Sequence, residues 1–249
     1  MKLLKTIFQF FWSLYFYFGF FMMMLLALIV FRIQYFFFKT KYETQFKDFL
    51  FRGIGKAMEF AFLIELERKY HYDFDKNQSY VLVGNHNASI DIPLNTSSCP
   101  KNINMKFLGK AEVAKIPLVG PLIKNLSVLV DRKDATSRKN TFQLMAQELK
   151  KGYSIFLYPE GTRNRTKETL KEFYSGAFRL AIEHQLPIVV CTLIGTKKMN
   201  SPHSLFSFLP GKVVSHWEIP ISTEGMTKDD IPALKEKVRN IMLSRLKLN

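Results

Sequence analysis

His86 and Asp91, five residues apart in the stretch YVLVGNHNASIDIP (Tyr80–Pro93), are the side chains of this sequence best suited to moving a proton. On one continuous helix they would point roughly 140° apart, at 3.6 residues per turn. They can meet if His86 occupies the turn leaving a strand and Asp91 stands just inside the following element. A carboxylate on one imidazole nitrogen then fixes the tautomer, and the other nitrogen is left to take a proton from a hydroxyl. No serine or cysteine nucleophile is needed in that scheme, because the attacking hydroxyl belongs to the substrate. Alone, the pair reads more readily as an ordinary strand-end turn. Its weight depends on what the rest of the fold brings beside it.

Two further stretches offer anion chemistry. Phe107–Gly120, FLGKAEVAKIPLVG, reads as a strand that stops at Gly109 and hands over to a helix. Lys110 falls at that entrance, where backbone N–H groups favour anions, and Glu112 follows. Ile155–Arg165, IFLYPEGTRNR, reads as an apolar strand ended by Pro159 and then Glu160, Gly161, Thr162 and Arg163. In a parallel α/β sheet, ligands bind at the carboxyl ends of the strands. There Gly161 permits close backbone approach, Thr162 offers a hydroxyl, and Arg163 can grip a phosphate through two parallel hydrogen bonds.

The elements that must position these residues follow from hydrophobic pattern. Strands are predicted at Leu63–Leu66, Tyr80–Val83, Met105–Leu108, Ser127–Val130, Ile155–Tyr158, Ile188–Leu193 and Val213–Trp217. Helices are predicted after Ile90, around Pro117–Lys124, at Thr136–Lys150, at Tyr174–His184 and at Lys228–Lys247, the last opened by Thr227 as N-cap. Such alternation points to an α/β sandwich around a mostly parallel sheet, spanning residues 62–249.

Residues 1–61 are of another kind. Thr6–Phe31 carries no charge, which as a helix is roughly 39 Å, against a hydrocarbon core of about 30 Å. It lacks the short apolar region and small-residue cleavage site of a signal peptide. Aromatic residues at both ends suit the membrane interface. Arg32, Lys39, Lys41 and Lys47 outnumber Lys2 and Lys5, so a spanning helix would leave the large domain on the cytoplasmic side of the membrane. An in-plane insertion has the same composition. Within Thr44–Ala61, a helical stripe (Phe46, Phe49, Leu50, Gly53, Ile54, Ala57, Met58) either lies on lipid or packs on the domain, with Lys47, Arg52 and Lys56 off it. The segment is expected to be helical and membrane-associated.

Charge narrows the partners. Against 21 Asp and Glu the 249 residues hold 36 Lys and Arg, a net charge of +15, which favours anionic lipid surfaces and phosphate-bearing substrates. The basic residues are dispersed and no nucleic-acid motif appears, so a non-enzymatic basic protein binding membrane or nucleic acid is the remote alternative. Cys99 and Cys191 form no disulfide framework and no metal-ligand spacing, as expected of a reduced, cytosol-facing domain.

Taken in order, these blocks resemble those of the glycerolipid acyltransferases of lysophosphatidic acid type. NHNASID (Asn85–Asp91) is similar to the family's first block, NHxSxxD. GKAEVAKIPLVG is similar to the second, with Lys110, Glu112, Pro117 and Gly120 in place. YPEGTRN matches the third, and LPIVV (Leu186–Val190) is similar to the fourth. The likeness runs from about Leu63 to Thr223. It departs at Val190, where the family carries a second proline, at Phe173-Tyr174-Ser175-Gly176, which lacks the lysine of Phe-Lys-x-Gly, and at Asn87, where Gln is common.

The resemblance implies a glycerophosphate acyltransferase-like α/β fold and transfer of a fatty acyl group from acyl-CoA or acyl-carrier protein. The acceptor would be the sn-2 hydroxyl of 1-acyl-glycerol-3-phosphate, or alternatively another lysophospholipid or a lyso-ornithine-type lipid. It implies His86 as base and Asp91 as its partner, with Lys110, Arg163, Thr162 and Gly161 at the acceptor phosphate. Asn85, Glu112, Glu160 and Pro159 would shape the site. Neither metal nor cofactor is implied.

Overall fold

Three uncharged runs, Val81–Gly84, Ser154–Leu157 and Ile188–Leu193, are buried along their whole length, as strands must be when a sheet is covered on both faces. The computed structural model describes residues 2–38, 43–116, 119–131 and 134–247. Its strands are β1 (Ile64–Tyr70), β2 (Val81–Gly84), β3 (Met105–Lys110), β4 (Ser127–Val130), β5 (Ser154–Leu157), β6 (Ile188–Ile194) and β7 (Gly211–Trp217). They form one sheet in the order β1-β7-β6-β2-β5-β3-β4. From β6 to β4 all neighbours are parallel. β7 runs antiparallel to β6, and β1 parallel to β7. The mostly parallel sheet read from the sequence is present, finished on one side by two reversed strands.

The helices are α1 (Lys2–Phe38), α2 (Glu43–Ala61), α3 (Asp91–Ser98), α4 (Val119–Leu126), α5 (Ala135–Lys150), α6 (Gly176–Glu183), α7 (Thr196–Met199) and α8 (Ile231–Lys247). Side chains alternate across the strands. Val81, Val83, Ile155 and Leu157 join the core that holds Phe178, Val238 and Met242, whereas Leu82, Phe156, Val189 and Cys191 pack on the other face with Trp217. Asp134 caps α5, accepting from the N–H groups of Thr136 and Ser137 at 3.0 Å each.

Several boundaries differ by a few residues from those read in the sequence, α7 has no counterpart there, and two of the differences are instructive. β1 runs on to Tyr70, because all seven of its residues pair with β7; cross-strand pairing outweighs the charged composition of Glu65–Lys69. The last helix is preceded by a 3₁₀ turn at Lys228–Asp230, where Thr227 and Asp230 make a reciprocal capping box. Pro117, Lys39 and Lys41 lie outside the described residues.

α1 and α2 pack on the sheet domain. The stripe on α2 turns Ile54 and Met58 inward, with Phe62 just beyond the helix, so of the two roles left open for it, packing on the domain is the one seen for these side chains. A Cβ on Gly55 would stand 2.5 Å from Ser97 Cβ and 2.8 Å from the Pro93 carbonyl oxygen. Only glycine lets α2 approach α3 this closely. Arg52 donates to the carbonyls of Cys99, Pro100 (3.2 Å) and Ile103 (2.8 Å), satisfying acceptors beyond the end of α3. On α1, Phe16 stacks on Phe208 with ring centroids 3.7 Å apart and meets Phe62 at 4.5 Å, while Ser13 Oγ accepts from the Phe208 N–H at 3.0 Å.

Candidate active site

Because β2, β5 and β3 are adjacent and parallel, their carboxyl ends bring three sequence stretches to one edge of the sheet. β2 delivers Asn85 and His86, β5 delivers Tyr158 through Arg163, and β3 ends at Lys110.

Asn85 extends the ladder with its side chain. Its amide donates to the Leu193 carbonyl and accepts from the Leu193 N–H, both at 2.8 Å, so the chain stays pinned to β6 as it leaves β2. His86 follows in the turn, and Asp91 is the first residue of α3, fully buried. His86 Nδ1 lies 2.9 Å from Asp91 Oδ2. The same oxygen accepts the N–H groups of Asn87 at 2.7 Å and Ala88 at 2.8 Å. Three donors on one oxygen fold the turn around the carboxylate. With Nδ1–H donated to Asp91, Nε2 carries the free lone pair. The histidine side chain keeps 15 % of its surface exposed, and that surface lines a cavity.

The loop after β5 is held by Glu160, which is buried. Its carboxylate accepts the His86 N–H and the Lys171 N–H, each at 2.9 Å. Burial raises its pKa, and those two hydrogen bonds oppose the rise. Gly161 adopts φ +73° while its N–H returns to the Tyr158 carbonyl at 2.9 Å, a turn that L side chains rarely make. Asn164 donates its N–H to the His86 carbonyl at 2.7 Å. Lys171 Nζ reaches Thr162 Oγ1 at 2.8 Å and the Glu160 carbonyl at 3.2 Å. The His86 turn and the Pro159–Arg163 loop are therefore one hydrogen-bonded body.

The cavity has a volume of about 770 Å³, within the range of small-molecule sites. His86, Lys110, Thr162 and Arg163 line it. Most of the remaining wall is apolar, with Phe20 and Met24 from α1 and Phe51 and Ile54 from α2, while Arg165, Thr96 and Ser127 also line it. Lys110 sits at the rim, 54 % exposed and 2.9 Å from Glu112. The structure thus brings His86, Lys110, Gly161, Thr162 and Arg163 to one cavity. Asp91, Glu160 and Asn85 lie behind it as buried supports, and Pro159 is buried beside them.

Some supporting residues escape a sequence reading. The Tyr158 ring lies over His86 with centroids 4.1 Å apart. Its hydroxyl accepts from Asn95 Nδ2 at 3.0 Å, and Asn95 Oδ1 in turn accepts from the Cys191 thiol at 3.1 Å. Burial, with the charge of Asp91, pushes the Tyr158 phenol well above its ordinary range, so it stays protonated. Lys171 and Asn95 have no motif around them; only the tyrosine, inside YPEGTRN, carried a signal.

A His–Asp pair and the cationic side chains Lys110, Arg163 and Arg165 on a largely apolar cavity of an α/β sheet make an arrangement suited to deprotonating a hydroxyl beside an anionic group. The chain belongs to the Acyltransferase family, whose profile matches residues 65–194, more than half of the sequence. It is 29% identical over 193 residues to the 1-acyl-sn-glycerol-3-phosphate acyltransferase alpha of Mus musculus, an alignment covering 75% of this chain and 65% of that protein. It is 29% identical over 189 residues to the 1-acyl-sn-glycerol-3-phosphate acyltransferase of Haemophilus influenzae, covering 74% and 75%. The chain spans a little under two thirds of the length of the mouse relative. In fold it is similar to the crystal structure of the 1-acyl-sn-glycerophosphate (LPA) acyltransferase PlsC from Thermotoga maritima, with a TM-score of 0.79 and 21% identity, over 96% of this chain and 94% of that one.

Proposed function

We propose that this protein transfers a fatty acyl group from an acyl-CoA or acyl-carrier-protein thioester to the sn-2 hydroxyl of 1-acyl-glycerol-3-phosphate, giving phosphatidic acid. The observation carrying this reading is the 2.9 Å contact of His86 Nδ1 with buried Asp91, on a cavity that also holds Lys110 and Arg163 and is walled by apolar residues of α1 and α2.

In this reading His86 Nε2 takes the sn-2 hydroxyl proton as the oxygen attacks the thioester carbonyl. The resulting imidazolium is stabilised by Asp91 through Nδ1. The tetrahedral intermediate collapses with cleavage of the C–S bond, and the departing thiolate takes the proton back from Nε2. Arg163 holds the acceptor phosphate, with Lys110 at the rim and Thr162 and Gly161 completing the pocket. Fixing both substrates in line removes several kcal/mol from the barrier, up to about 7–11. Asn85, Pro159 and Glu160 shape the loops, and Glu112 orients Lys110. No metal or cofactor enters the scheme.

The setting we propose is a membrane surface, with the catalytic domain on the cytoplasmic side. The most apolar 18-residue stretch within Leu3–Gln34 of α1 has a mean hydropathy of 2.4, and the helix is mostly exposed in the structure. One side of α1 meets the domain from Phe10, against Phe206, to Ala27 in the shared core, a stretch of about 26 Å at 1.5 Å per residue. A helix flanked by its own domain over that length fits an in-plane seat better than a lone crossing of the bilayer.

The test is acylation of lysophosphatidic acid by membranes bearing wild-type or His86→Ala protein, with acyl-CoA or acyl-carrier protein as donor. Wild type should form phosphatidic acid, and the variant should be slower by about 10²–10⁴-fold, the usual worth of a general base. Comparable product from both would remove His86 from the mechanism. Acylation of a different lysolipid alone would move the acceptor.

A further inference from the structure

Apolar surface continues past α1 onto two connections of the sheet domain. The last turn of α2 exposes Phe60 to 88 %, and the turn from α2 into β1 exposes Leu63 to 63 %. Leu63 is held at φ +50°, a left-handed conformation uncommon for a bulky residue. The loop between α7 and β7 exposes Leu205 to 72 %, next to Phe206.

Both connections are tied to α1. Tyr15 Oη donates to the Ala61 carbonyl at 3.0 Å, and Tyr17 Oη to the Leu205 carbonyl at 2.9 Å. The Phe206 ring lies 5.0 Å from that of Phe10. The Gly211 N–H donates to the Leu63 carbonyl at 3.3 Å, which links the two connections to each other. Single exposed apolar residues need no explanation, but a contiguous set does.

The surface these residues extend is the outward side of α1, where Phe11 and Phe18 are exposed and no charge interrupts Thr6–Phe31. Behind Leu205 in the chain, the exposed Lys197 and Lys198 of α7 suit anionic headgroups. We propose that the end of α2 with its turn into β1, and the α7–β7 loop, enter the lipid surface beside α1, with Phe60, Leu63 and Leu205 as the inserted side chains. This rests on the reading of α1 as lipid-embedded.

The seat has a consequence for the catalytic turn. Asn200, at the base of the α7–β7 loop, accepts from Ser89 Oγ at 2.9 Å and from the Ser89 N–H at 3.3 Å. Its amide also donates to Ser207 Oγ at 3.4 Å. A loop fixed in lipid therefore braces Ser89, three residues from His86.

The experiment uses the full chain in vesicles of phosphatidylcholine with a minority of phosphatidylglycerol. Cys99 and Cys191 are buried, so a thiol-reactive fluorophore reports on an introduced cysteine. Phe60→Cys and Leu205→Cys are compared with Phe18→Cys on α1, each against brominated lipid and aqueous iodide. Quenching by brominated lipid at positions 60 and 205 comparable to that at 18, with protection from iodide, is expected. Lipid quenching at 18 alone would overturn the proposal and leave the membrane reading of α1 standing. Absence at all three would overturn both. Probes at 60 and 205 that ignore lipid but shift to the blue as protein concentration rises would assign this surface to a second copy of the chain and overturn the proposal.

Discussion

The rings of His86 and Tyr158 lie 4.1 Å apart, centroid to centroid, with their planes 17° from parallel. The tyrosine cannot turn away, because its hydroxyl is held by Asn95. It gives the imidazole a fixed floor on one side, while Asp91 holds its edge. An imidazolium over the aromatic face is also favoured electrostatically. Tyr158→Leu should remove both effects. An aromatic pair is worth about 0.5–1.5 kcal/mol beyond its buried area, so kcat should fall roughly two- to twelvefold with little change in acceptor KM. Tyr158→Phe keeps the ring and leaves Asn95 short of one partner, a stability loss of about 1 kcal/mol with kcat nearly kept. Equal kcat losses in the two variants, measured at saturating acceptor, would mean that the ring is not what matters.

Asp91→Asn separates charge from position. Asp91 Oδ2 accepts three donors, and Oδ1 is buried without a hydrogen-bond partner among the described residues. An asparagine oxygen can still receive the two backbone N–H groups, but it cannot neutralise an imidazolium. Losing that support should cost much of the general-base contribution, about 10²-fold or more in kcat. The melting temperature should hold or rise, because a buried carboxylate with one unpaired oxygen carries a desolvation penalty. A variant that melts well below wild type would show that the carboxylate is chiefly structural.

The sheet was legible in the sequence because its strands are short apolar runs closed by glycine, proline or polar residues, and all seven appear where those runs lie. The turn after β5 was legible too, since Pro159 and Gly161 favour a turn where the apolar strand ends. What escaped is what the folded chain alone brings together. Glu160 reads as a residue of the site, yet its carboxylate is spent on two backbone N–H groups from His86 and Lys171. Arg52 reads as a charge outside the apolar stripe of α2, yet it satisfies carbonyls at the end of α3. Neither pairing leaves a spacing, because the partners are 74 and about 50 residues away.

Arg163 and Lys110 should contribute unequally to acceptor binding. Lys110 is 54 % exposed and already paired with Glu112, so solvent and that carboxylate both weaken its hold on a phosphate. Among the described residues no carboxylate pairs with Arg163, and its planar fork suits two phosphate oxygens at once. Arg163→Ala should therefore raise the acceptor KM more than Lys110→Ala, with Arg163→Lys in between. Initial rates against lysophosphatidic acid concentration measure this. A larger effect at Lys110 would reverse the assignment.

Acid should loosen the end of the sheet remote from the cavity. His216 on β7 is buried, with Nδ1 3.1 Å from His71 Nε2. Arg245 of α8 stands 3.4 Å from the same His71 nitrogen and is paired with Glu218 at 2.6 Å and 3.0 Å. Burial lowers the His216 pKa, and Arg245, His71 and Lys69 lower it further against the opposing charge of Glu218. The folded state thus holds this imidazole neutral where the unfolded chain, with a histidine pKa near 6.5, takes up a proton. The stability it contributes is present above that value and is lost as pH falls through it toward the lower folded pKa. The slope from one such group is at most about 1.4 kcal/mol per pH unit. Thermal melts from neutral pH to about pH 5 should show a fall that is shallower in His216→Gln. The comparison isolates this histidine, because the raised pKa of Glu160 acts in the opposite direction and is common to both proteins. Parallel curves for the two would place the acid sensitivity elsewhere.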